Sequence, residues 1–127
     1  MSGKVVHFEL PMDNEKRATE FYKKTFGWEV QSVPEMQYTI VHTTASDAQG
    51  MPKEPGAING GMAKRGGGVT HPVVTIAVDD IDATAKAIAK NGGTVTQPKT
   101  SIGPMGFIAY FTDTEGSTVG LYQPAAR

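Results

Sequence analysis

A shift of the chain by 66 residues lays one half of the sequence over the other without a gap. The matched positions are a strand, a strand end, a helix cap, a helix interior and a helix-stop glycine: His7 on Val73, Leu10 on Ile76, Asp13 on Asp79, Phe21 on Ala87 and Gly27 on Gly93. Identity between the halves is slight, but this coincidence at one offset indicates an internal repeat. Each half then has a sheet with one face under its own helix.

The first half predicts one strand, one helix and three further strands. In Lys4–Leu10, alternation puts Val6, Phe8 and Leu10 on one face and Val5, His7 and Glu9 on the other. Pro11 is expected to end this strand, and Asp13 or Asn14 to cap a helix that Gly27 terminates. The remaining strands are predicted at residues 28–33, 36–43 and 57–62, with a long polar loop over residues 44–55.

The second half repeats this order. A strand at residues 73–78 precedes a helix capped by Asp79 or Asp80, and strands follow at residues 94–97, 107–112 and 119–123. We therefore predict one α+β domain over residues 1–127, in which two βαβββ modules form a curved, partly open eight-stranded sheet. The modules are residues 4–63 and 69–127, joined by a glycine-rich connector at residues 64–68.

Composition excludes several classes of protein. The 12 basic and 13 acidic residues are interspersed and give a net charge of −1, so no basic face for nucleic acid or anionic lipid is expected. The absence of cysteine excludes disulfides, thiolate metal sites and thiol catalysis. No apolar run reaches the roughly 20 residues that span a bilayer. We expect a cytoplasmic protein with no nucleic-acid or membrane partner.

Three segments carry a family resemblance: HFELPMDNEKRATEFYKKTFGW, VVTIAVDDIDATAKAIAKNGG and FIAYFTDTEGSTVGLYQP. They resemble the two module openings and the closing hairpin of the vicinal oxygen chelate superfamily. This superfamily includes glyoxalase I, bleomycin-resistance proteins, fosfomycin-resistance enzymes and extradiol dioxygenases. The resemblance implies an eight-stranded cup and, in many members, a homodimer whose cavities combine modules of both chains.

In metal-dependent members, the resemblance implies one histidine or glutamate ligand from the first and fourth strands of each module. The corresponding positions here are His7, Asn59, Val73 and Gly120, and only His7 matches. Valine has no lone pair and glycine has no side chain, so we expect no cofactor and at most a residual role for His7 as a metal ligand. A divalent metal with an irregular ligand set stays an alternative.

His7 and Glu9 are the candidate catalytic residues because they share the strand face away from the predicted helix. Their Cα atoms are expected to lie roughly 6.5 to 7 Å apart. The two groups could couple, raising the pKa of His7, or hold a cation together. The alternatives are a histidine satisfied by a neighbour at a sheet interface, and a strand face that is simply hydrated.

Four further residues are candidate ligand-binding groups. Asn59 and Thr75 lie on predicted strands, and by resemblance Tyr110 faces the cavity while Tyr122 shares a face with Gly120. Aromatic rings with a polar tip suit a pocket for an organic ligand, although core packing explains them nearly as well. Residues 101–106 form a glycine and proline loop that could fold over a ligand. His42 and His71 are predicted to be surface residues.

Three functions follow from these observations. The first is a glyoxalase-like or bleomycin-resistance-like protein that binds a small organic molecule in a cavity without the usual metal ligands. The second is a metal-dependent lyase, isomerase or dioxygenase built on His7 and Glu9. The third is a non-catalytic dimeric module. In the expected homodimer, His7 and Asn59 of one chain would face Thr75, Tyr110 and Tyr122 of the other.

Overall fold

The computed structural model describes residues 3–125, and these divide into two compact units. One unit is residues 7–72, here called the first unit. The other, here called the second unit, is residues 73–125 together with residues 3–6. Across the described residues there are eight β-strands, two α-helices and two short 3₁₀ turns. The predicted α+β class and the predicted element order are confirmed.

The first unit has the strand order β2-β3-β4-β1 with one helix. Strands β1 and β4 run parallel, whereas β3 is antiparallel to both β2 and β4. The elements are β1 (Val5–Met12), α1 (Glu15–Phe26), β2 (Glu29–Val33), a 3₁₀ turn (Pro34–Met36), β3 (Tyr38–His42) and β4 (Asn59–Lys64).

The second unit repeats this arrangement with the order β5-β8-β7-β6. Strands β5 and β8 run parallel, and β7 is antiparallel to both of its neighbours. The elements are β5 (Val73–Ala77), α2 (Ile81–Lys90), β6 (Thr94–Ser101), a 3₁₀ turn (Gly103–Met105), β7 (Gly106–Thr112) and β8 (Thr118–Pro124).

Local sequence explains where both helices begin. The side chain of Asn14 accepts a hydrogen bond from the Arg17 backbone amide at 2.9 Å, and the side chain of Asp80 does the same for Ala83 at 3.1 Å. These caps satisfy amides that have no partner within the helix. Helix α1 ends at Gly27, whose φ of 73° lies in the left-handed region that glycine adopts without strain.

One face of each sheet is covered by its own helix. In the first unit, Met62 and Val41 are fully buried and pack with Phe8, Tyr22 and Trp28. In the second unit, the corresponding core is formed by Val78, Ile81, Ala109 and Leu121. The predicted alternation along β1 is therefore confirmed for Phe8 and Leu10, which both pack against the first core.

Helical spacing in the sequence predicts an apolar stripe on α1 formed by Ala18, Phe21, Tyr22 and Phe26, and two of these residues do not enter the core. Phe21 is 56% exposed and Phe26 is 61% exposed, whereas Tyr22 stacks on Trp28 with ring centroids 4.7 Å apart. Helical spacing therefore identified the apolar side of α1 but overestimated its width.

Two prolines lie within strands rather than at their ends. Strand β1 continues through Pro11 to Met12, although Pro11 was expected to end it. The Met12 carbonyl accepts from the Arg65 amide at 2.9 Å, so the nitrogen of Pro11, one residue earlier, points away from β4. Strand β6 passes through Pro98 to Ser101 because it is the outermost strand of its unit and its pairing with β7 is irregular there.

None of the helices within residues 3–125 combines the length and the apolar character needed to span a membrane.

Candidate functional site

Most of the candidate site residues of the first unit have side chains that point away from α1. Strand alternation and the observed registers put these residues on one face, which we call the polar face: His7, Glu9, Tyr38, His42 and Asn59. His7 and Asn59 are neighbours across β1 and β4, as are Glu9 and Gly61.

The side chains of His7 and Tyr38 are joined across the intervening strand β4. The Nε2 atom of His7 lies 2.8 Å from the Tyr38 hydroxyl, a hydrogen-bonding distance. This contact depends on Gly61 of β4, because a Cβ atom at Gly61 would overlap the Tyr38 ring. Tyr38 is not among the site residues predicted from the sequence, although it shares strand parity with His42 in β3.

Burial lowers the pKa of His7 from its ordinary value of 6.5, and the nearby Glu9 carboxylate opposes this effect more weakly. A raised pKa of His7 was one possibility offered by its spacing from Glu9, but the pKa is lowered, because loss of hydration outweighs the attraction of Glu9. A neutral imidazole can both donate and accept a hydrogen bond. At neutral pH, His7 can therefore serve as a proton acceptor.

Because the pKa of His7 is lower in the folded chain, the unfolded chain binds this proton more tightly. The contribution of His7 to the free energy of unfolding is complete above pH 6.5 and is lost as the pH falls toward the lower folded pKa.

We expect His7→Gln to reduce the loss of stability between about pH 7.5 and about pH 5.5, measured by urea unfolding. His71→Gln is the control, since His71 is exposed; an equal reduction in both variants would contradict this assignment.

Glu9 is buried, with 8% of its surface exposed. The alternative of a simply hydrated strand face is therefore wrong at this position. A carboxylate in such a position is costly unless it has partners, and Glu9 does make polar interactions. Together, His7 and Glu9 give the polar face an imidazole with a lowered pKa beside a buried carboxylate.

Asn59 anchors the loop over residues 44–55. Its Oδ1 atom accepts from the Thr43 amide at 2.9 Å, and its Nδ2 atom donates to the Ser46 hydroxyl at 2.8 Å and to the Gly50 carbonyl at 3.2 Å. The side-chain amide is thus occupied by protein groups. A role for Asn59 in ligand binding stays a prediction.

His42 belongs to the same network. Its Nδ1 atom lies 3.2 Å from the Ser46 hydroxyl and 3.4 Å from Nδ2 of Asn59, and the residue is half-buried. The prediction of a surface residue is therefore wrong for His42, because the following loop folds back over it. His71 is exposed, as predicted.

In the second unit, Thr75, Gly120 and Tyr110 form one cross-strand row. Thr75 is 6% exposed and Tyr110 is 8% exposed. A Cβ atom at Gly120 would lie 2.9 Å from the Thr75 hydroxyl oxygen and 3.5 Å from the Tyr110 ring. Glycine therefore leaves space for these two side chains, and their predicted contact with a ligand stays a prediction.

Tyr122 lies on the same face of the second unit, and its hydroxyl donates to the Met105 carbonyl at 2.6 Å. This bond holds the 3₁₀ turn Gly103–Met105 within the loop predicted to fold over a ligand. Tyr122 therefore positions that loop, whereas direct ligand binding by its hydroxyl stays a prediction.

The residues at the four metal-ligand positions do not form a metal site. Within residues 3–125, no three histidine, aspartate or glutamate side chains lie close enough together to hold a metal ion. Val73 and Gly120 supply no donor atom, and the oxygen of Asn59 already accepts from Thr43. One imidazole with an engaged amide does not fit the ligand sets of divalent transition metals.

A surface depression of about 510 Å³ lies along α1 and is lined by exposed side chains that include Lys16, Arg17 and Phe21. It is on the opposite side of the first unit's sheet from His7. Its lining residues on α1 include none that is buried. The candidate site is therefore the polar face.

Residues 4–121 match the sequence model of the Glyoxalase/Bleomycin resistance protein/Dioxygenase superfamily. The chain belongs to this superfamily. Among its relatives, a "Glyoxylase-like domain-containing protein" of Didymella fabae is 30% identical over 121 residues, covering 93% of this chain and 91% of the relative. The resemblance predicted from the sequence is therefore confirmed.

Other similarities differ in coverage. The "Putative glyoxylase CFP32" of Mycobacterium tuberculosis is 31% identical over 122 residues, which are 91% of this chain and 43% of the relative. The chain thus spans less than half the length of that relative. A Streptomyces coelicolor methylmalonyl-CoA epimerase in complex with 2-nitronate-propionyl-CoA has 20% identity and a TM-score of 0.66, covering 99% and 100% of the two chains. At that identity, the likeness shows a common fold.

Proposed function

We propose that this superfamily member binds a small organic molecule at the polar face of its first unit without a bound divalent metal. The observation that carries the proposal is the His7–Tyr38 pair, in which a half-buried imidazole with a lowered pKa is oriented by a tyrosine hydroxyl at 2.8 Å. Oriented polar groups within a partly apolar surface fix the position of an organic ligand.

The donor set favours this proposal over a metal-dependent reaction. His7 and Glu9 supply two donors, and no third histidine, aspartate or glutamate of the described residues joins them in a metal-binding group. The same two residues can act on an organic ligand directly. When Nε2–H of His7 donates to the Tyr38 oxygen, Nδ1 of His7 can accept a proton from a bound acidic group and the Tyr38 hydroxyl can donate a hydrogen bond to a ligand carbonyl or hydroxyl. The homodimer implied by the family resemblance forms part of this proposal.

A thermal-shift screen tests the proposal. The chain is screened in EDTA against thiol conjugates, antibiotics and catechols, and a ligand is recognised because it raises the unfolding midpoint by mass action. We expect His7→Gln to weaken binding of such a ligand by about tenfold, the effect of one lost hydrogen bond. His71→Gln should leave the affinity unchanged.

A metal analysis gives the opposing outcome. If protein purified without chelator retains one equivalent of nickel, zinc, manganese or iron per chain, and His7→Ala loses it, the proposal is wrong. A lower unfolding midpoint in His7→Gln with unchanged ligand affinity would also contradict it, since His7 would then act only in packing.

A further inference from the structure

The charges of the first unit are distributed unequally between the two sides of its sheet. The side away from α1 presents the odd-numbered residues of β1, β2 and β4 and the even-numbered residues of β3. Within the first unit's strands, these positions include two carboxylates, Glu9 and Glu29, and neither lysine nor arginine. The strand residues on the side of the polar face therefore include negatively charged side chains but no lysine or arginine.

The basic residues of the first unit's helix and strands lie on the other side. Helix α1 contains four of them, Lys16, Arg17, Lys23 and Lys24, and all four are exposed. Lys64, the basic residue of β4, has the strand parity of Met62, which packs under α1. The strands of the first unit thus offer no positive charge to a ligand at His7.

The strands of the second unit likewise offer no positive charge on the face that includes Thr75. The residues of β5, β7 and β8 that share a face with Thr75, Tyr110 and Tyr122 include no charged side chain. The charged residue of β6, Lys99, is directed to the α2 side, where its Nζ atom lies 3.2 Å from Asp82 and 4.5 Å from the centre of the Phe107 ring.

From this distribution we infer that the ligand of the polar face presents a neutral or cationic group there, and not a carboxylate or phosphate. The inference rests on the proposed function and specifies the chemical class of its ligand. An anionic group beside His7 would lie close to the buried carboxylate of Glu9, and the strand positions on this side include neither lysine nor arginine. An ammonium group would be attracted to Glu9 and to the face of the Tyr38 ring.

Three fluorescent probes that share one dansyl group test the inference. Dansylcadaverine carries an ammonium group, dansylamide is neutral and dansylglycine carries a carboxylate. At low ionic strength, we expect dansylcadaverine and dansylamide to bind about tenfold more tightly than dansylglycine, measured by fluorescence titration. His7→Gln should weaken the binding of both, which places them at the polar face.

Glu9→Gln tests the residue responsible. This isosteric change should reduce the advantage of dansylcadaverine over dansylamide by about threefold or more, since the carboxylate charge is removed. Glu20→Gln is the matched control, because it makes the same charge change on an exposed position of α1. It should leave the advantage unchanged. The comparison among probes on the unsubstituted chain stands even if Glu9→Gln fails to fold.

The possible results distinguish failure of the ligand-charge inference from failure of the proposed function. If dansylglycine binds as tightly as dansylcadaverine in a His7-dependent manner, the inference is wrong while the proposed function stands. An unchanged preference in correctly folded Glu9→Gln also overturns the inference. If none of the three probes binds and the thermal-shift screen yields no ligand, both claims are wrong.

Discussion

Substitution of Gly61 by alanine should separate Tyr38 from His7. The added methyl group would occupy the position of the Tyr38 ring, so the ring has to leave its place above β4. We expect a loss of about 1 kcal/mol in the free energy of unfolding, at the low end of overpacking effects, because the end of the half-buried Tyr38 side chain can move aside. Ligand affinity should fall as in His7→Gln, because the 2.8 Å hydrogen bond can no longer form.

A double-mutant cycle with Tyr38→Ala isolates this contact. In the Tyr38→Ala background, Gly61→Ala no longer meets a ring, so its cost in urea unfolding should fall to a few tenths of a kcal/mol. The coupling energy between the two positions then measures the steric conflict directly. Equal costs of Gly61→Ala in both backgrounds would show that Tyr38 does not occupy this space in solution.

Substitution of Asn59 by alanine should release the loop over residues 44–55. The change leaves the Thr43 amide without its acceptor and removes the donor of Ser46 and Gly50. Because a buried polar group that loses its partner costs about 1–3 kcal/mol, we expect about 2–4 kcal/mol of destabilisation from the combined losses. Hydrogen exchange should accelerate across the loop.

The control for Asn59 is Ser46→Ala, which removes one partner of Asn59 together with the contacts of the Ser46 hydroxyl to His42 and Thr44, and keeps the bonds of Asn59 to Thr43 and Gly50. Its effect on the free energy of unfolding should be no more than about 1 kcal/mol. If exchange in residues 44–55 is the same in Asn59→Ala and in the unsubstituted chain, the loop is held by other contacts.

Much of the fold could be predicted from the sequence because its signals are local. The alternation in β1, the caps at Asn14 and Asp80, and the helix stop at Gly27 each depend on residues a few positions apart. The offset of 66 residues then supplied the order of elements in both units. The predicted strand ends at Pro11 and Pro98 were wrong, because a strand accepts proline where the proline nitrogen faces no hydrogen-bonding neighbour, and local sequence does not show which strands are neighbours.

The candidate site was predicted only in part. His7 and Glu9 were identified because they are two residues apart on one strand, and that spacing fixes a common face. Tyr38 and His42 were missed because their distances to His7 and Asn59 depend on how β3 pairs with β4. The direction of the pKa shift of His7 was also missed, since the extent of burial is a property of the folded chain.

Residue identity and local spacing are enough to predict the repeated βαβββ order, the superfamily and the lack of donors at Val73 and Gly120. The contacts around these positions depend instead on the tertiary structure. In the folded chain, the Tyr38 ring lies over Gly61 and contacts His7. The side chain of Asn59 binds the loop over residues 44–55, and Thr75 and Tyr110 pack beside Gly120. These contacts join residues distant in the chain, and only the pairing of strands sets such distances.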